Sequence, residues 1–130
     1  MIQKNILVLA IVSLALISAC AQTETQKELV KNISTRAGDL TLKYENGQAI
    51  LSGTLQRSTP CVNWSVEIAA TKDLPISNVN INVYNNNKGA ICIQVLGEPQ
   101  EIKETISQVS ENTEYTVRFE EELVFSGKLE

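Results

Sequence analysis

The chain of 130 residues has 15 acidic and 11 basic residues, for a formal net charge of −4, and it contains no histidine. The mild acidity and the lack of a basic patch argue against a nucleic-acid partner. Without histidine there is no Ser-His-Asp or Cys-His nucleophile pair, and the commonest transition-metal ligand is missing. The six glycines are scattered, so the sequence has no glycine-rich phosphate loop. We therefore expect a protein that is not an enzyme and that uses no cofactor and no metal.

Residues 1–19 have the pattern of a signal peptide. Lys4 precedes an apolar run of 12 residues at 6–17, and small residues follow it at 18 and 19. A membrane-spanning helix needs about 20 apolar residues, so the run predicts a cleaved signal rather than an uncleaved anchor. The protein is therefore expected to be exported, which places its cysteines in an oxidising compartment.

Residues 17–20, Ile-Ser-Ala-Cys, resemble the bacterial lipobox, in which an aliphatic residue and two small residues precede a cysteine. The resemblance implies that a diacylglycerol is joined to the sulfur of Cys20 and that the signal is cut just before it. The protein would then be held at a membrane of the cell envelope, the outer membrane if the host is Gram-negative. Ala19-Cys20-Ala21 also fits an ordinary A-x-A signal cut before Gln22, so free secretion stays open as the alternative.

Residues 20–37 are expected to form the lipid-anchored cysteine and a polar tether, and residues 38–130 the folded domain. Few apolar side chains occur between 22 and 35, and Leu29 and Ile33 are about one helical turn apart. A short helix over 24–33 is therefore an alternative to an unstructured tether, although so thin an apolar stripe does not stabilise a helix alone.

Cys61 and Cys92 remain when Cys20 is set aside. Two cysteines in an oxidising compartment are expected to form a disulfide, and with two candidates the connectivity is fixed. The loop they close has about 30 residues, for which loop-closure entropy predicts about 3.5–4 kcal/mol of stabilisation. Two buried free thiols are the alternative. The spacing excludes a CxxC redox site, and two thiols are too few for a zinc site.

From residue 39 onward apolar and polar residues alternate, which is the period of half-buried strands. Asn46-Gly47 predicts a two-residue hairpin turn, since both residues tolerate positive φ. Other turns are predicted at 58–60, 73–75, 85–89, 97–99 and 120–122. The strands between these turns are expected at 40–44, 49–55, 61–70, 79–83, 90–96, 101–109, 115–119 and 123–129.

Two of the predicted strands have features of their own. In 90–96, Ile91, Ile93 and Val95 are expected on one face and Cys92 on the other. In 101–109 the apolar residues also fit one face of a single helical turn, and a strand is preferred because its neighbours are strands. Seven or eight short strands, spaced by about ten residues, predict an all-β fold that is an antiparallel β-sandwich.

Residues 106–119 resemble a stretch near the end of a fibronectin type III repeat: an apolar residue, a turn, then Thr113, Tyr115 and alternating apolar residues. The resemblance implies an immunoglobulin-like sandwich in which Tyr115 is the corner tyrosine, its hydroxyl bonded back to the loop backbone, and Trp64 is the buried tryptophan. The turn expected at 110–112 lacks the Pro-Gly of that family, and the family has no counterpart of the two cysteines. Ordinary core aromatics are the alternative for both residues.

Two polar clusters are candidate contact sites. Asn78, Asn80 and Asn82 lie opposite the apolar face of a predicted strand, so their face is either solvated or in contact with a partner such as an envelope protein or a glycan. Residues 120–122, three glutamates at a predicted hairpin tip, form either a solvated turn or a site for Ca²⁺ or a basic partner.

These features together predict a non-catalytic cell-envelope lipoprotein whose β-sandwich is a binding or scaffold module, acting through loops at one end or through an exposed strand edge. The alternative is a secreted or anchored inhibitor of an envelope hydrolase, with a rigid loop braced by Pro60-Cys61 and by residues 89–92. An enzyme that uses carboxylates alone is a third hypothesis.

Overall fold

The computed structural model describes residues 28–130, and the regular structure in this range is β-strand. The predicted all-β fold is therefore confirmed, whereas the predicted signal peptide and Cys20 lie outside the described residues. Among residues 28–130 there is no helix of the length and apolarity that crossing a membrane requires. The strands are β1 (Leu29–Thr35), β2 (Gly38–Glu45), β3 (Gln48–Leu55), β4 (Trp64–Ala70), β5 (Ile76–Asn85), β6 (Gln100–Ile106), β7 (Val109–Phe119) and β8 (Glu122–Lys128).

The strands form two four-stranded sheets with the apolar core between them. The strand order is β1-β2-β3-β6 in one sheet, which we call sheet A, and β4-β5-β7-β8 in the other, sheet B. Successive side chains of a strand point to opposite faces, so alternate residues of the central strands enter the core. The fully buried core residues of these strands include Leu40, Leu42, Leu51, Val79, Ile81, Val83, Val117 and Phe119.

One strand pair departs from the antiparallel arrangement that the sequence predicts. β5 and β7 are parallel, with Val79 opposite Tyr115 and Val83 opposite Phe119, while the other pairs of described strands are antiparallel. The reason is the route of the chain, because β6 returns it in sheet A and β7 then starts again in the direction of β5. Sheet B therefore differs from the antiparallel sheets of the immunoglobulin fold.

The connections between strands lie at two opposite ends of the sandwich. One end, which we call the loop end, holds the turn 36–37, the connections 56–63 and 86–99, and the turn 120–121. There the side chain of Arg36 is paired with that of Glu120. The other end, the base, holds the first residue of β1 and the short β2–β3, β4–β5 and β6–β7 connections, and there Val109 N donates to Gly47 O at 2.9 Å. The chain thus enters the sandwich at the base.

The sandwich begins earlier than the sequence predicts. Residues 29–35, expected in the tether, form β1, so the boundary at residue 38 and the alternative helix are wrong for these residues. Ile33 is 2% exposed in the core, and Leu29 packs against the core. The inward position between them is Lys31, whose Nζ lies 5.6 Å from the centre of the Phe125 ring. A charged residue at an inward position of an edge strand hides the period-2 pattern of the sequence.

Residues 90–96, predicted as a strand, form a loop without strand partners. β5 ends in sheet B and β6 begins in sheet A, so this segment has to cross between the sheets. It is also held at two points, since Cys92 is bonded to Cys61 and Gly97 N donates to Arg57 O at 3.0 Å. These links direct the segment across the loop end, where it pairs with neither sheet.

Tyr115 lies in the core but is not a corner tyrosine. β7 is continuous over Val109–Phe119, so the turn predicted at 110–112 is wrong, and the chain turns at 107–108 instead. Tyr115 is 2% exposed, and its hydroxyl has no hydrogen-bond partner among the described residues. Burial raises the pKa of Tyr115 to about 12, with a smaller contribution from Tyr44. The bond from this hydroxyl to the loop backbone, which the fibronectin resemblance implies, is therefore not formed.

Candidate binding surface at the loop end

The predicted disulfide joins the two long connections of the loop end. Cys61 and Cys92 are bonded, with their Cα atoms 5.9 Å apart and a sequence separation of 31. Cys61 lies in the turn before β4, which starts at Trp64 rather than at 61 as the sequence predicts. The bond ties the connection 56–63 to the connection 86–99, so the two are positioned together.

Arg57 holds the C-terminal part of the longer connection. Its C=O accepts a hydrogen bond from Gly97 N at 3.0 Å, and its Nε donates to Glu98 O at 2.6 Å. No side chain fits at Gly97, because a Cβ there would lie 2.7 Å from Thr59 O. A charged donor makes a stronger hydrogen bond than a neutral one. The backbone and the guanidinium of Arg57 together therefore fix residues 97 and 98 against the connection 56–63.

Consecutive asparagines at 85–87 hold the start of the same connection. Asn63 N donates to Asn85 Oδ1 at 3.0 Å, and Asn63 Nδ2 donates to Asn86 Oδ1 at 3.0 Å. Asn87 Nδ2 donates to Cys61 O at 2.8 Å. Short amide side chains satisfy backbone groups in turns, and here they bond the two connections to each other. These asparagines therefore have a structural role at the loop end.

Trp64 joins the two sheets beneath these connections. Its indole Nε1 donates to Gln56 O at 2.9 Å, and its ring centroid lies 4.8 Å from that of Phe119. Its backbone N–H donates to Gln100 Oε1 at 2.9 Å, and its C=O accepts from Gln100 Nε2 at 2.8 Å. β4 of sheet B and β6 of sheet A are thereby linked. The predicted burial of Trp64 is confirmed, since it is 8% exposed.

The segment between these fixed points exposes most of its apolar side chains. We call residues 90–96 the apolar loop. Single exposed apolar residues are ordinary, but several close together form a patch of the kind that marks interaction sites. Elsewhere among residues 28–130 the exposed large apolar side chains are on three separate elements, at Val30, Leu74 and Leu123. In the apolar loop they are Ile91 at 102% exposure, Ile93 at 68%, Val95 at 52% and Leu96 at 76%.

A groove of about 520 Å³ opens beside the apolar loop. Its lining includes the apolar side chains of Trp64 and Leu96 and the ion pair between Arg36 and Glu120. The guanidinium of Arg36 also lies 5.6 Å from the centre of the Phe119 ring, which holds the pair in place. A groove lined by both apolar side chains and an ion pair suits an apolar side chain of a partner that also offers a polar group.

The three predicted asparagines lie on the outer face of sheet B. Asn78 and Asn80 are exposed, and Asn82 is half-buried, opposite Glu67 of β4 and Arg118 of β7. Asn82 Oδ1 is buried with no hydrogen-bond partner among the described residues. Asn82 also lines a second, smaller groove of about 240 Å³. The use of these asparagines as a contact surface stays a prediction.

The three glutamates of the predicted hairpin tip do not act as one cluster. Glu120 and Glu121 form the β7–β8 turn, with φ of 46° and 70°, and Glu122 starts β8. The carboxylate of Glu120 is paired with Arg36 of the β1–β2 turn, so it ties sheet B to sheet A. In the part of the chain that is described, no group of three or more His, Cys, Asp or Glu side chains is placed to hold a metal ion.

Sequence reasoning missed most of the residues that build this surface. The apolar loop has the alternation of a strand, and the signals that mark it as a loop are its flanks, Gly89 and Gly97. Arg57 and Gln100 carry no signal, because their bonding partners are backbone atoms far away in sequence.

Comparison with known proteins identifies no relative of the chain. No protein-family model, no curated protein and no solved structure matches it. The function is therefore argued from the geometry of the loop end.

Proposed function

We propose that the protein is a non-catalytic cell-envelope lipoprotein, anchored through Cys20, whose apolar loop binds a partner protein of the envelope. The observation that carries the proposal is the exposure of four apolar side chains on a segment that is held at both ends and at Cys92. Exposed apolar surface of this kind does nothing for the folded domain itself, and burial against a partner accounts for it.

The rigidity of the loop end favours binding. Ordering a side chain at an interface costs about 0.5–1.5 kcal/mol, and a segment that is ordered beforehand avoids part of this cost. The disulfide at Cys92, the bond from Asn87 to Cys61 and the bonds of Arg57 supply that order. Burial of one Ile, Leu or Val side chain contributes about 1.5–3 kcal/mol. The apolar loop can therefore offset a large part of the cost of association.

The chain enters the folded domain at the base, opposite the end that carries the apolar loop. β1 begins at the base, and β5, with 10 residues, spans about 30 Å from the base to the loop end. The residues 21–28 between Cys20 and β1 reach at most about 29 Å when fully extended. A lipid at Cys20 therefore leaves the apolar loop free for a partner.

The test is cross-linking in cells that express the full chain, followed by identification of the captured proteins. One variant combines Ile91→Ser with Ile93→Ser. The matched control is Leu74→Ser, which removes an apolar side chain of similar exposure, 65% against 68% for Ile93, at the base. We expect an envelope protein to be captured by the wild type and the control and to be lost from the double variant. Capture of the same proteins by all three chains, or of none by the wild type, contradicts the proposal.

A second candidate is an anchored or secreted inhibitor of an envelope hydrolase. The observation that favours it is the full exposure of Ile91 immediately before the bridged Cys92, since a hydrolase cleft accepts a protruding, braced segment. Assays of the purified full chain against a panel of envelope proteases decide between the two candidates. Inhibition that Ile91→Ser weakens supports the second candidate, and no inhibition of any protease contradicts it while leaving the first intact.

A further inference from the structure

Three of the four edge strands among the described residues carry a device against pairing with another chain, and β4 carries none. β1 has Lys31 and β6 has Glu104 at inward positions, opposite Leu42 and Leu51. β8 is distorted by a register shift against β7. Inward charges and bulges are devices by which sheet proteins keep their edges unpaired. The inward positions of β4 are instead Trp64, Val66, Ile68 and Ala70.

Hydrogen bonds at its two ends define which groups of β4 point outward. Asn86 N donates to Asn63 O at 3.0 Å, and Thr71 N donates to Asn78 O at 3.1 Å. Backbone bonds alternate along an antiparallel pair, so the odd-numbered residues between these points bond to β5. The even-numbered residues of β4 therefore direct their N–H and C=O groups away from β5.

Only the first of these outward positions is occupied. At Trp64 the N–H and C=O are bonded to the side-chain amide of Gln100, which stands in for one residue of a neighbouring strand. Beyond it, Val66, Ile68 and Ala70 have no backbone partner on this side among residues 28–130. Val66 and Ile68 are also only half-buried. We call residues 66–70 the open edge.

We propose that the open edge pairs with the open edge of a second copy of this chain, antiparallel and about a twofold axis at Ile68. In this register Ile68 meets its counterpart and Val66 meets Ala70 of the second copy, so every outward group of the open edge is used. Glu67 then lies opposite Ala69. A register centred on Glu67 places two carboxylates directly opposite each other, which is destabilising. The open edge is thus self-complementary in hydrogen bonds and in charge.

The pairing joins two copies of sheet B into one continuous sheet and covers Val66 and Ile68. Because the contact is confined to one strand edge, it belongs with the small interfaces, below about 1,200 Å², that are weak or transient. Concentration of the chains on a membrane raises the fraction that pairs. The pairing does not depend on partner binding by the apolar loop, because that loop takes no part in the open edge; only its enhancement on a membrane rests on the proposed anchor.

Cysteines introduced at facing positions of the two copies test this register, because they form a disulfide only when the register brings them together. Two full chains with different tags, one carrying Glu67→Cys and the other Ala69→Cys, are co-expressed, and their disulfide-linked products are separated on non-reducing gels. The two positions form a non-hydrogen-bonded pair across the axis, with Cα atoms about 4.5 Å apart, within reach of a disulfide. Two cysteines at the same position, one on each copy, are diagonal neighbours about 7–8 Å apart, which is too far for a disulfide.

We expect the mixture to give a product that carries both tags, and either variant alone to give several-fold less linked product. The proposal is overturned if the mixture gives no such product, if Glu67→Cys alone links to itself as efficiently, or if the cysteines link to a different protein instead.

A further pair of variants tests the backbone bonds themselves. Ala70 is exposed and its N–H points outward, so Ala70→Pro removes a pairing donor and leaves the bonds to β5 in place. Ala70→Ser keeps the N–H and is the matched control. Two hydrogen bonds are lost per pair of copies, so we expect proline to lower the yield of the two-tag product about fivefold relative to serine. Protection of Cys61 and Cys92 from alkylation reports that both variants fold, and equal yields overturn the proposal.

Discussion

Gln100 bonds to Trp64 in the way that a neighbouring β-strand would. The N–H of Trp64 donates to Gln100 Oε1 at 2.9 Å, and Gln100 Nε2 donates to Trp64 O at 2.8 Å. The two residues belong to different sheets, so these bonds close the sandwich at the loop end. Trp64 is 8% exposed, and a buried backbone group that loses its partner is costly. One amide side chain thus supports the connections that carry the apolar loop.

Replacement of Gln100 is expected to destabilise the protein. Gln100→Ala leaves the N–H and C=O of Trp64 without their partners, and we expect the free energy of unfolding to fall by about 1–3 kcal/mol. The matched control is Gln48→Ala, since Gln48 is an exposed glutamine at the start of β3, at the base. Urea unfolding of the full chain in detergent measures both variants. Equal effects of the two substitutions would show that the bonds to Trp64 contribute little.

Loss of the disulfide is expected to lower the free energy of unfolding by more than the replacement of Gln100 does. The bond closes a loop with a sequence separation of 31, for which loop-closure entropy gives about 3.5–4 kcal/mol. The double variant Cys61→Ser with Cys92→Ser should therefore unfold at much lower denaturant concentration than the wild type. Intact mass after alkylation, with and without reductant, checks the pairing directly. Alkylation of both cysteines without reductant would contradict it.

The buried hydroxyl of Tyr115 makes stability depend on pH on the alkaline side. Burial raises the pKa of Tyr115 from 10.0 to about 12, because it disfavours the phenolate. In the unfolded chain the tyrosine ionises with the lower pKa of 10.0. The stability that this pKa difference contributes is therefore fully present below pH 10 and is lost as the pH rises toward 12. We expect the free energy of unfolding to fall more steeply over this interval in the wild type than in Tyr115→Phe.

At pH 7 the same variant serves as a test of the hydroxyl itself. Tyr115→Phe removes a buried hydroxyl that has no hydrogen-bond partner among the described residues, so we expect it to be as stable as the wild type or more stable. A loss of more than about 1 kcal/mol at pH 7 is the magnitude of a broken hydrogen bond and would contradict this account.

The proposed anchor predicts a defined mature N-terminus. Mass spectrometry should find a chain that begins at Cys20 and carries the mass of a diacylglycerol, and fractionation should find it with membranes. Cys20→Ser should remove the lipid and release the protein from the membrane fraction or leave it unprocessed, because a single residue supplies the attachment point. A wild-type chain that begins at Gln22 without lipid would establish ordinary secretion instead.

Local sequence signals predicted the parts of the fold that local chemistry determines. Asn46 and Gly47 have φ of 50° and 75° in the β2–β3 turn, as a two-residue hairpin requires. Alternation correctly identified the buried faces of the central strands, and the predicted pairing of Cys61 with Cys92 is confirmed. In each case the deciding information lies in adjacent residues or in a unique pair.

The errors arise where the deciding contact is far away in sequence. Alternation at 91–95 is the same signal as in β5, but no sheet edge receives that segment, and it became a loop. β1 was missed because Lys31 occupies an inward position of an edge strand. The parallel pairing of β5 with β7 follows from the return of the chain through β6, which no local pattern encodes. The candidate site was therefore less predictable than the core.

The most direct test of the apolar loop is photo-cross-linking from the loop itself in living cells. A photoreactive phenylalanine derivative replaces Ile93 in one full chain and Leu74 in another, because both side chains are exposed and lie at opposite ends of the sandwich. The account predicts a discrete adduct with one envelope protein from position 93 and none from position 74. The same adducts from both positions, or none from position 93, would contradict it.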